Sequence, residues 1–199
     1  MSKVKIAITG GIGSGKSTVS KYIQSLGYPV YSCDEINKEI FQTVAFQERL
    51  KQLFPACEKD GKIDKKLLSS CVFSDKVALR ALNELAHPFI MAQLDSELET
   101  CKENYVFAEV PLLFECGYED RFDFVIIVFR SLEDRISAVS LRDQSSPELV
   151  QQRIAAQWDY NEAKMMSLPK SKYVVLKNEL TISDLNKKID DALAFIMKQ

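Results

Sequence analysis

The glycine-rich segment directly after the first apolar run constrains the fold most strongly. Residues 4–9 read VKIAIT and predict a strand, and residues 10–17 read GGIGSGKS, which is the full phosphate-loop pattern GxxxxGK(S/T). Residues 17–26 then have apolar side chains at helical spacing, and residues 29–32 predict a second strand. Because two strands separated by a helix need a crossover connection, this order predicts a parallel sheet with helices on its faces.

The glycine loop predicts a nucleoside-triphosphate site. Backbone N–H groups that wrap around phosphate oxygens need positive φ values and no Cβ, and four of the seven glycines of the chain lie in this loop. Lys16 is expected to bridge the β- and γ-phosphates, and Ser17 is expected to offer its hydroxyl to Mg²⁺. A glycine-rich turn that matches by chance is the alternative, but the motif follows a strand and opens a helix, as a phosphate loop must. The predicted nucleotide-binding residues of the loop are Gly11, Ile12, Gly13, Ser14, Gly15, Lys16, Ser17 and Thr18.

Apolar patterns predict where the sheet continues and where the chain leaves it. From residue 34 to about 102, apolar residues recur at helical spacing with a turn at 60–62, which predicts a helical excursion. Residues 105–110 and 124–129 predict strands that are buried on both faces, and residues 173–177 predict a last strand. The chain is therefore expected to form an α/β domain.

Two serines predict helix starts after the strand at 124–129. Ser131 is expected to act as an N-cap, and Ser146 precedes a proline at the first helical position. Between them, residues 142–145 (RDQS) form a polar break that could act as a hinge, and residues 183–198 predict a closing helix.

Composition excludes several classes of protein. The formal net charge of −2 gives no general attraction to nucleic acid or to anionic membranes, so neither is expected as a partner. No apolar run approaches the roughly 20 residues that span a bilayer, and the N-terminus lacks a signal-peptide cleavage pattern. Five scattered cysteines without CxxC spacing fit a reduced, cytoplasmic setting, and a single histidine disfavours a structural zinc site.

A phosphate loop alone does not separate a kinase from a GTPase or an ATP-driven motor. The guanine-reading NKxD and the switch element DxxG of GTPases are both absent. The positive signal for a kinase is Asp34, which follows the second strand, where a carboxylate can take a proton from an attacking hydroxyl. The alternative for Asp34 is an N-cap of a helix that begins at Glu35.

Several motifs in one order together resemble the dephospho-coenzyme A kinase family. They are residues 9–19 (TGGIGSGKSTV), Asp34, His87-Pro88, residues 110–115 (VPLLFE), Arg142-Asp143 and residues 155–157 (AAQ). The resemblance extends from the first strand to about Asn178. It implies transfer of the γ-phosphoryl group of ATP, with Mg²⁺, to the 3′-hydroxyl of the dephospho-coenzyme A ribose. The alternatives are another phosphate-loop nucleoside or nucleotide kinase, or a nucleotide-dependent regulatory protein.

The resemblance also implies an architecture. The chain is expected to be one P-loop kinase domain over 1–199, with a three-layer α/β/α core around a parallel five-stranded sheet. A helical insertion at about 35–102 would bind the substrate, and a helical lid at about 138–168 would close on ATP. The core would comprise about 1–33, 103–135 and 172–199. A monomer or a small homo-oligomer is expected.

The catalytic roles implied by the resemblance involve four residues besides those of the glycine loop. Asp34 would be the general base, and Arg142, together with Lys16, would stabilise the transferring phosphates; an exposed cation at a helix end is the alternative for Arg142. Glu109 would act on Mg²⁺ through water. Asn178 would lie near the adenine.

The resemblance places the remaining candidates at the acceptor. His87 would position the substrate, or would simply start a helix together with Pro88. Pro111, Leu112 and Glu115 would line the acceptor pocket, although Glu115 could instead pair with a lysine. For Gln157, a lid role and a surface role are equally open.

The chain departs from the pattern of the family at two positions. Many members have an aspartate where this chain has Ser32, which puts any role of that acid in doubt. The family often has an arginine where this chain has Ala138, and Arg135, one helical turn earlier, is a candidate substitute.

Overall fold

The sheet is parallel and five-stranded, as the sequence predicts. The computed structural model describes residues 3–199, with the backbone alone at residue 73. In chain order the strands of this sheet are β1 (Val4–Thr9), β2 (Val30–Ser32), β5 (Tyr105–Glu109), β6 (Phe124–Phe129) and β7 (Tyr173–Lys177), and their spatial order is β2-β5-β1-β6-β7. Strands β3 (Glu58–Lys59) and β4 (Lys62–Ile63) form a separate antiparallel hairpin. The predicted α/β class is confirmed.

The central strand β1 fixes the register of the sheet. Ile8 of β1 is opposite Glu109 of β5 and Ile126 of β6, so that β1 is hydrogen-bonded to parallel neighbours on both sides. Ile8 and Ile126 are fully buried, as expected for a parallel sheet covered on both faces. The carboxyl ends of β1 and β5 therefore lie side by side, and the glycine loop begins there.

The chain divides into two compact units. The first comprises Met1–Tyr31 and Cys101–Gln199, and the second comprises Ser32–Thr100. The first unit holds the sheet and five helices, which are α1 (Lys16–Ser25), α6 (Leu132–Asp143), α7 (Pro147–Ala155), α8 (Glu162–Met166) and α9 (Ile182–Ile196). Apolar side chains of α1 and α9, among them Ile23 and Ile189, pack with the sheet into one core. Because α1 is packed into this core, the position of the glycine loop that precedes it is fixed.

The second unit is helical, as the apolar spacing predicts. Its helices are α2 (Cys33–Ile40), α3 (Val44–Leu53), α4 (Lys65–Ser74) and α5 (Lys76–Thr100), and it also contains the β3–β4 hairpin. The turn of that hairpin has positive φ at Asp60 (51°) and Gly61 (78°), which matches the turn predicted there. Phe46 and Leu94 are fully buried, and the rings of Phe46 and Phe89 lie 5.2 Å apart.

Two structural alternatives for residues of this unit are wrong. Asp34 does not cap a helix that begins at Glu35. The helix α2 begins at Cys33, and the hydroxyl of Ser32 accepts the N–H of Glu35 at 3.4 Å. His87 does not start a helix, because Pro88 lies inside the long helix α5. A proline in a helix interior leaves one backbone carbonyl without its usual donor, and the packing of α5 against α2 and α4 holds the helix together across this point.

Two further predictions on helix ends hold. Ser131 and Ser146 cap α6 and α7, and each side chain accepts a backbone N–H of the first turn. The polar break at 142–145 is shorter than predicted, because α6 continues through Asp143 and only Gln144 adopts positive φ (51°). Among the described residues, no helix is long and apolar enough to cross a membrane.

Candidate active site

The glycine loop has the backbone that phosphate binding needs. Gly10, Gly13 and Gly15 have φ values of 149°, 79° and 100°, which side chains rarely adopt. A Cβ on Gly10 would lie 2.3 Å from the carbonyl oxygen of Val128, so the loop also approaches its neighbours too closely for a side chain. The ammonium of Lys16 donates to the carbonyl oxygens of Gly10 (2.8 Å) and Gly11 (3.2 Å), which keeps it over the loop.

The start of α1 differs from that of the other helices. Eight helices are capped by a Ser, Thr, Asp or Asn side chain that accepts an N–H of the first turn. Helix α1 is preceded by Gly15 and has no side-chain cap. An anion at this end would therefore meet backbone donors, with the positive end of the helix dipole behind them.

A buried carboxylate lies beside the loop at the end of β5. Glu109 is 9% exposed, and its two oxygens accept hydrogen bonds from the hydroxyls of Ser17 (3.1 Å) and Ser20 (2.7 Å). Hydroxyl and carboxylate oxygens suit Mg²⁺, which proteins usually bind with one or two such groups and substrate phosphates. Among residues 3–199 no cluster of three or more His, Cys, Asp or Glu could hold a metal. The Ser17 hydroxyl and the Glu109 carboxylate fit an ion that takes its other ligands from substrate phosphates and water.

Asn178 fastens the glycine loop from the end of β7. Its side-chain amide donates to the carbonyl oxygen of Ser14 at 2.8 Å, and its own backbone N–H donates to Phe129 at 2.8 Å. A Cβ on Gly15 would lie 2.4 Å from the side-chain nitrogen of Asn178. The residue predicted to lie near the adenine therefore supports the loop itself.

The Ile12 peptide of the loop is held from both sides. Its N–H donates to Oε1 of Gln157 at 2.7 Å, and its carbonyl oxygen accepts from Nε of Arg135 at 2.9 Å. Sequence reasoning left Gln157 open and named Arg135 only as a substitute. A usable signal was present, because Arg135 precedes the buried Val139 by one helical turn and so falls on the inward face of α6.

The segment after α7 also joins the loop to the element at 110–115. The backbone N–H of Trp158 donates to Oε1 of Glu115 at 2.8 Å, and the Trp158 ring stacks on Phe114 with centroids 4.4 Å apart. The partner of Glu115 is thus this backbone group rather than a lysine. Pro111 and Leu112, the other two candidates of this element, are half-buried at its start.

Tyr160 lies beside the end of β1, just before the glycine loop. It is 5% exposed, its hydroxyl lies 3.3 Å from Oγ1 of Thr9, and burial raises its pKa above the ordinary value of a phenol. It therefore stays neutral at pH 7.

Arg142 is exposed in the last turn of α6 and pairs with Asp143 through Nε at 2.7 Å. Arg153 of α7 binds the other oxygen of Asp143, also at 2.7 Å. The hydrogen bonds from Arg142 and then Arg153 hold the pKa of Asp143 well below its usual range. In this conformation Arg142 has the position of an exposed helix-end cation.

Two candidates belong to the Ser32–Thr100 unit. Asp34 lies in the first turn of α2 with an exposed side chain. His87 lies in the middle of α5, half-buried, and desolvation lowers its pKa. The Met1–Tyr31 and Cys101–Gln199 unit brings together the glycine loop, Glu109, Asn178, Glu115 and Gln157, and adds Arg135 to them.

Comparison with known proteins identifies one family. The family profile described as Dephospho-CoA kinase matches residues 4–184. The Dephospho-CoA kinase of Thermus thermophilus is 38% identical over 189 residues, which cover 95% of this chain and 90% of that protein.

Two solved structures agree with this assignment. A crystal structure from Thermus thermophilus superimposes with a TM-score of 0.82 at 36% identity and covers 98% of both chains. The Dephospho-CoA kinase from Campylobacter jejuni superimposes with a TM-score of 0.68 at 28% identity and covers 98% of this chain and 97% of that one. The fold and the phosphate loop agree with these matches, which extend over nearly the whole chain. We conclude that the chain belongs to the dephospho-CoA kinase family.

Proposed function

We propose that the protein transfers the γ-phosphoryl group of ATP to the 3′-hydroxyl of dephospho-coenzyme A. The observation that carries this proposal is the hydrogen bond between Ser17, at the start of α1, and the buried carboxylate of Glu109. It joins a phosphate loop to an acidic group that can serve a nucleotide-bound Mg²⁺. Membership of the family supplies the acceptor.

In this proposal the glycine loop and Lys16 hold the phosphate chain. The uncapped start of α1 offers backbone donors, and Lys16 would exchange its carbonyl partners on Gly10 and Gly11 for phosphate oxygens. Ser17 would bind Mg²⁺ directly and Glu109 would act on it through water. When bound, the ion would neutralise charge on the β- and γ-phosphates.

Asp34 is proposed as the general base. Phosphoryl transfer to an alcohol needs a carboxylate that orients the hydroxyl and accepts its proton. Asp34 is exposed in the first turn of α2, and the cap of that helix is Ser32, so its carboxylate is not used for capping. His87, Pro111, Leu112 and Glu115 are proposed to contact the acceptor.

The segment at about 138–168 is proposed as a lid that excludes water during transfer, since water would hydrolyse ATP. Arg142 would then leave Asp143, its partner at 2.7 Å, and bind the transferring phosphates. Positive φ at Gln144, between α6 and α7, gives a place for this motion. The insertion at about 35–102 is proposed to bind the substrate.

The remaining proposals concern setting and partners. The protein is proposed to act in the cytoplasm on a small molecule, as a monomer or a small homo-oligomer, without nucleic acid or membrane partners. The negative net charge supports the last point, because it gives no general attraction to phosphate backbones or anionic lipids.

The test is release of ADP with a panel of acceptors. Dephospho-coenzyme A, nucleosides, nucleoside monophosphates and water are each incubated with the protein and ATP·Mg²⁺. Strong stimulation by dephospho-coenzyme A alone is expected. Stimulation by a nucleoside or a monophosphate instead would identify another phosphate-loop kinase, and slow hydrolysis that no acceptor stimulates would identify a regulatory nucleotide-binding protein.

A further inference from the structure

Arg135 is a buried cation that has no anionic partner among the residues that the structure describes. Its residue is 5% exposed, and Nε donates to the carbonyl oxygen of Ile12. Its Nη2 is buried and has no hydrogen-bond partner among residues 3–199. No carboxylate within that described part of the chain forms an ion pair with it. A guanidinium has five N–H donors and is charged at any physiological pH, so its burial without a counter-ion is costly.

The surroundings of the guanidinium do not supply the missing charge. The ionisable group that faces it is the phenol of Tyr160, which is neutral at pH 7. The remaining polar contact is a backbone carbonyl. Uncompensated buried charge is rare in proteins unless a ligand or metal compensates it. The burial of Arg135 therefore indicates that an anionic ligand binds beside it when the protein is active.

The position of Arg135 identifies the anion. The guanidinium lies directly against the glycine loop, because a Cβ on Gly11 would come within 2.1 Å of Nη2 and 2.4 Å of Cζ. The space taken by the arginine, and not the φ of Gly11, disfavours a side chain at this position. Arg135 also lines a cavity of about 460 Å³ together with Gln157, Trp158, Asp159 and Glu162.

We propose that the Arg135 guanidinium is a fixed positive charge of the nucleotide site, and that the phosphate chain of ATP neutralises it in place of a carboxylate of the protein. This proposal rests on the proposed use of ATP. In this conformation Arg142 is exposed and pairs with Asp143, so it does not provide a positive charge at the glycine loop. The proposal assigns that role to Arg135. A charge that is held in the fold needs no rearrangement when the nucleotide binds, which is the arrangement that stabilises developing charge best.

The alternative role is a purely structural one, in which Arg135 only holds the Ile12 carbonyl. Two variants separate the roles. Arg135→Lys keeps the charge but loses the planar guanidinium, whereas Arg135→Gln keeps an N–H donor for the carbonyl and loses the charge. Arg80→Gln is the matched control, because it removes an exposed arginine that pairs with Glu84 on α5.

The experiment measures ATP·Mg²⁺ affinity by calorimetry for the wild type and the three variants at several salt concentrations. We expect at least a tenfold loss of affinity and a weaker salt dependence for Arg135→Gln, with most of the affinity kept in Arg135→Lys and all of it in Arg80→Gln. We also expect the unliganded melting temperature of Arg135→Gln to stay at or above that of the wild type, since removal of an unpaired buried charge relieves its desolvation.

Three results would overturn the inference. Equal losses in Arg135→Lys and Arg135→Gln, or wild-type affinity in both, would show that the charge does not act on the nucleotide. A fall in the unliganded melting temperature of Arg135→Gln with unchanged affinity would assign a structural role. If the wild type binds ATP·Mg²⁺ and transfers phosphate, such results leave the proposed function intact. If the wild type binds no ATP, the proposed function fails and the inference fails with it.

Discussion

A Gly15→Ala substitution tests the contact between the glycine loop and Asn178. Gly15 has a φ of 100°, and an added Cβ would lie 2.4 Å from the side-chain nitrogen of Asn178. Alanine at such a φ costs about 1–3 kcal/mol of backbone strain. Displacement of Asn178 would also break its 2.8 Å hydrogen bond to the carbonyl of Ser14, which is worth about 1 kcal/mol.

Gly27 separates these two costs. It lies just after α1, has a φ of 91°, and has no atom within 4 Å of its Cβ position, so that Gly27→Ala measures strain alone. Both glycines belong to the same compact unit. We expect Gly15→Ala to destabilise the protein by about 1 kcal/mol more than Gly27→Ala, which corresponds to a melting temperature about 2–4 °C lower.

The assay is thermal unfolding of both variants in the wild-type and Asn178→Ala backgrounds. In the Asn178→Ala background the amide is absent, so the two glycine substitutions should have equal costs. The reasoning is refuted if the two substitutions cost the same in the wild type, or if the extra cost of Gly15→Ala survives the removal of Asn178.

Four further predictions concern catalysis, ligand binding and pH. Glu109→Gln should raise the Mg²⁺ concentration needed for phosphoryl transfer at least tenfold, because the amide loses the negative charge; an unchanged Mg²⁺ titration would contradict its role. Asp34→Asn should bind ATP normally and lose transfer, and wild-type turnover would remove it as the base. The sole tryptophan, Trp158, stacks on Phe114, so binding of ATP·Mg²⁺ should change its fluorescence if the segment at 138–168 moves; constant emission would argue against a lid. Burial lowers the pKa of His87, so its contribution to stability is present above about pH 6.5 and is lost as the pH falls through the lower folded value. Urea unfolding at pH 7.5 and 5.5 should therefore show a larger loss for the wild type than for His87→Gln, and equal losses would refute this.

The glycine loop and the sheet could be predicted because their signals are local. The strand, the loop and the helix follow one another in consecutive residues, so their order is visible in the sequence. The apolar run at 124–129 is a strand over the same residues in the structure. Glu109 was predictable for a similar reason, since the end of a buried strand is a poor place for an unused carboxylate.

The helix ends in the Ser32–Thr100 unit were harder to predict. The alternative that His87 starts a helix failed because proline usually marks a helix start, whereas the packing of α5 against its neighbours keeps a continuous helix from Lys76 to Thr100. The alternative of an N-cap role for Asp34 failed because both Ser32 and Asp34 are good N-cap residues, and the hydroxyl two positions earlier has that role.

The contacts of Ile12 could not be derived from local patterns at all. Arg135 and Gln157 reach its peptide across 123 and 145 residues of sequence. Such contacts depend on how α6 and the segment after α7 pack against the loop, and apolar spacing alone does not specify this. Only the charged residue on the inward face of α6 gave a hint.

The central claim is tested most directly by the identity of the product. The protein is incubated with ATP·Mg²⁺ and dephospho-coenzyme A, and the phosphorylated product is examined by phosphorus NMR and mass spectrometry, with Asp34→Asn as the control. We predict one new phosphomonoester coupled to the ribose 3′ proton, formed in step with ADP and absent with the variant. A phosphate on another hydroxyl, or ADP accompanied only by inorganic phosphate, would contradict the proposed function.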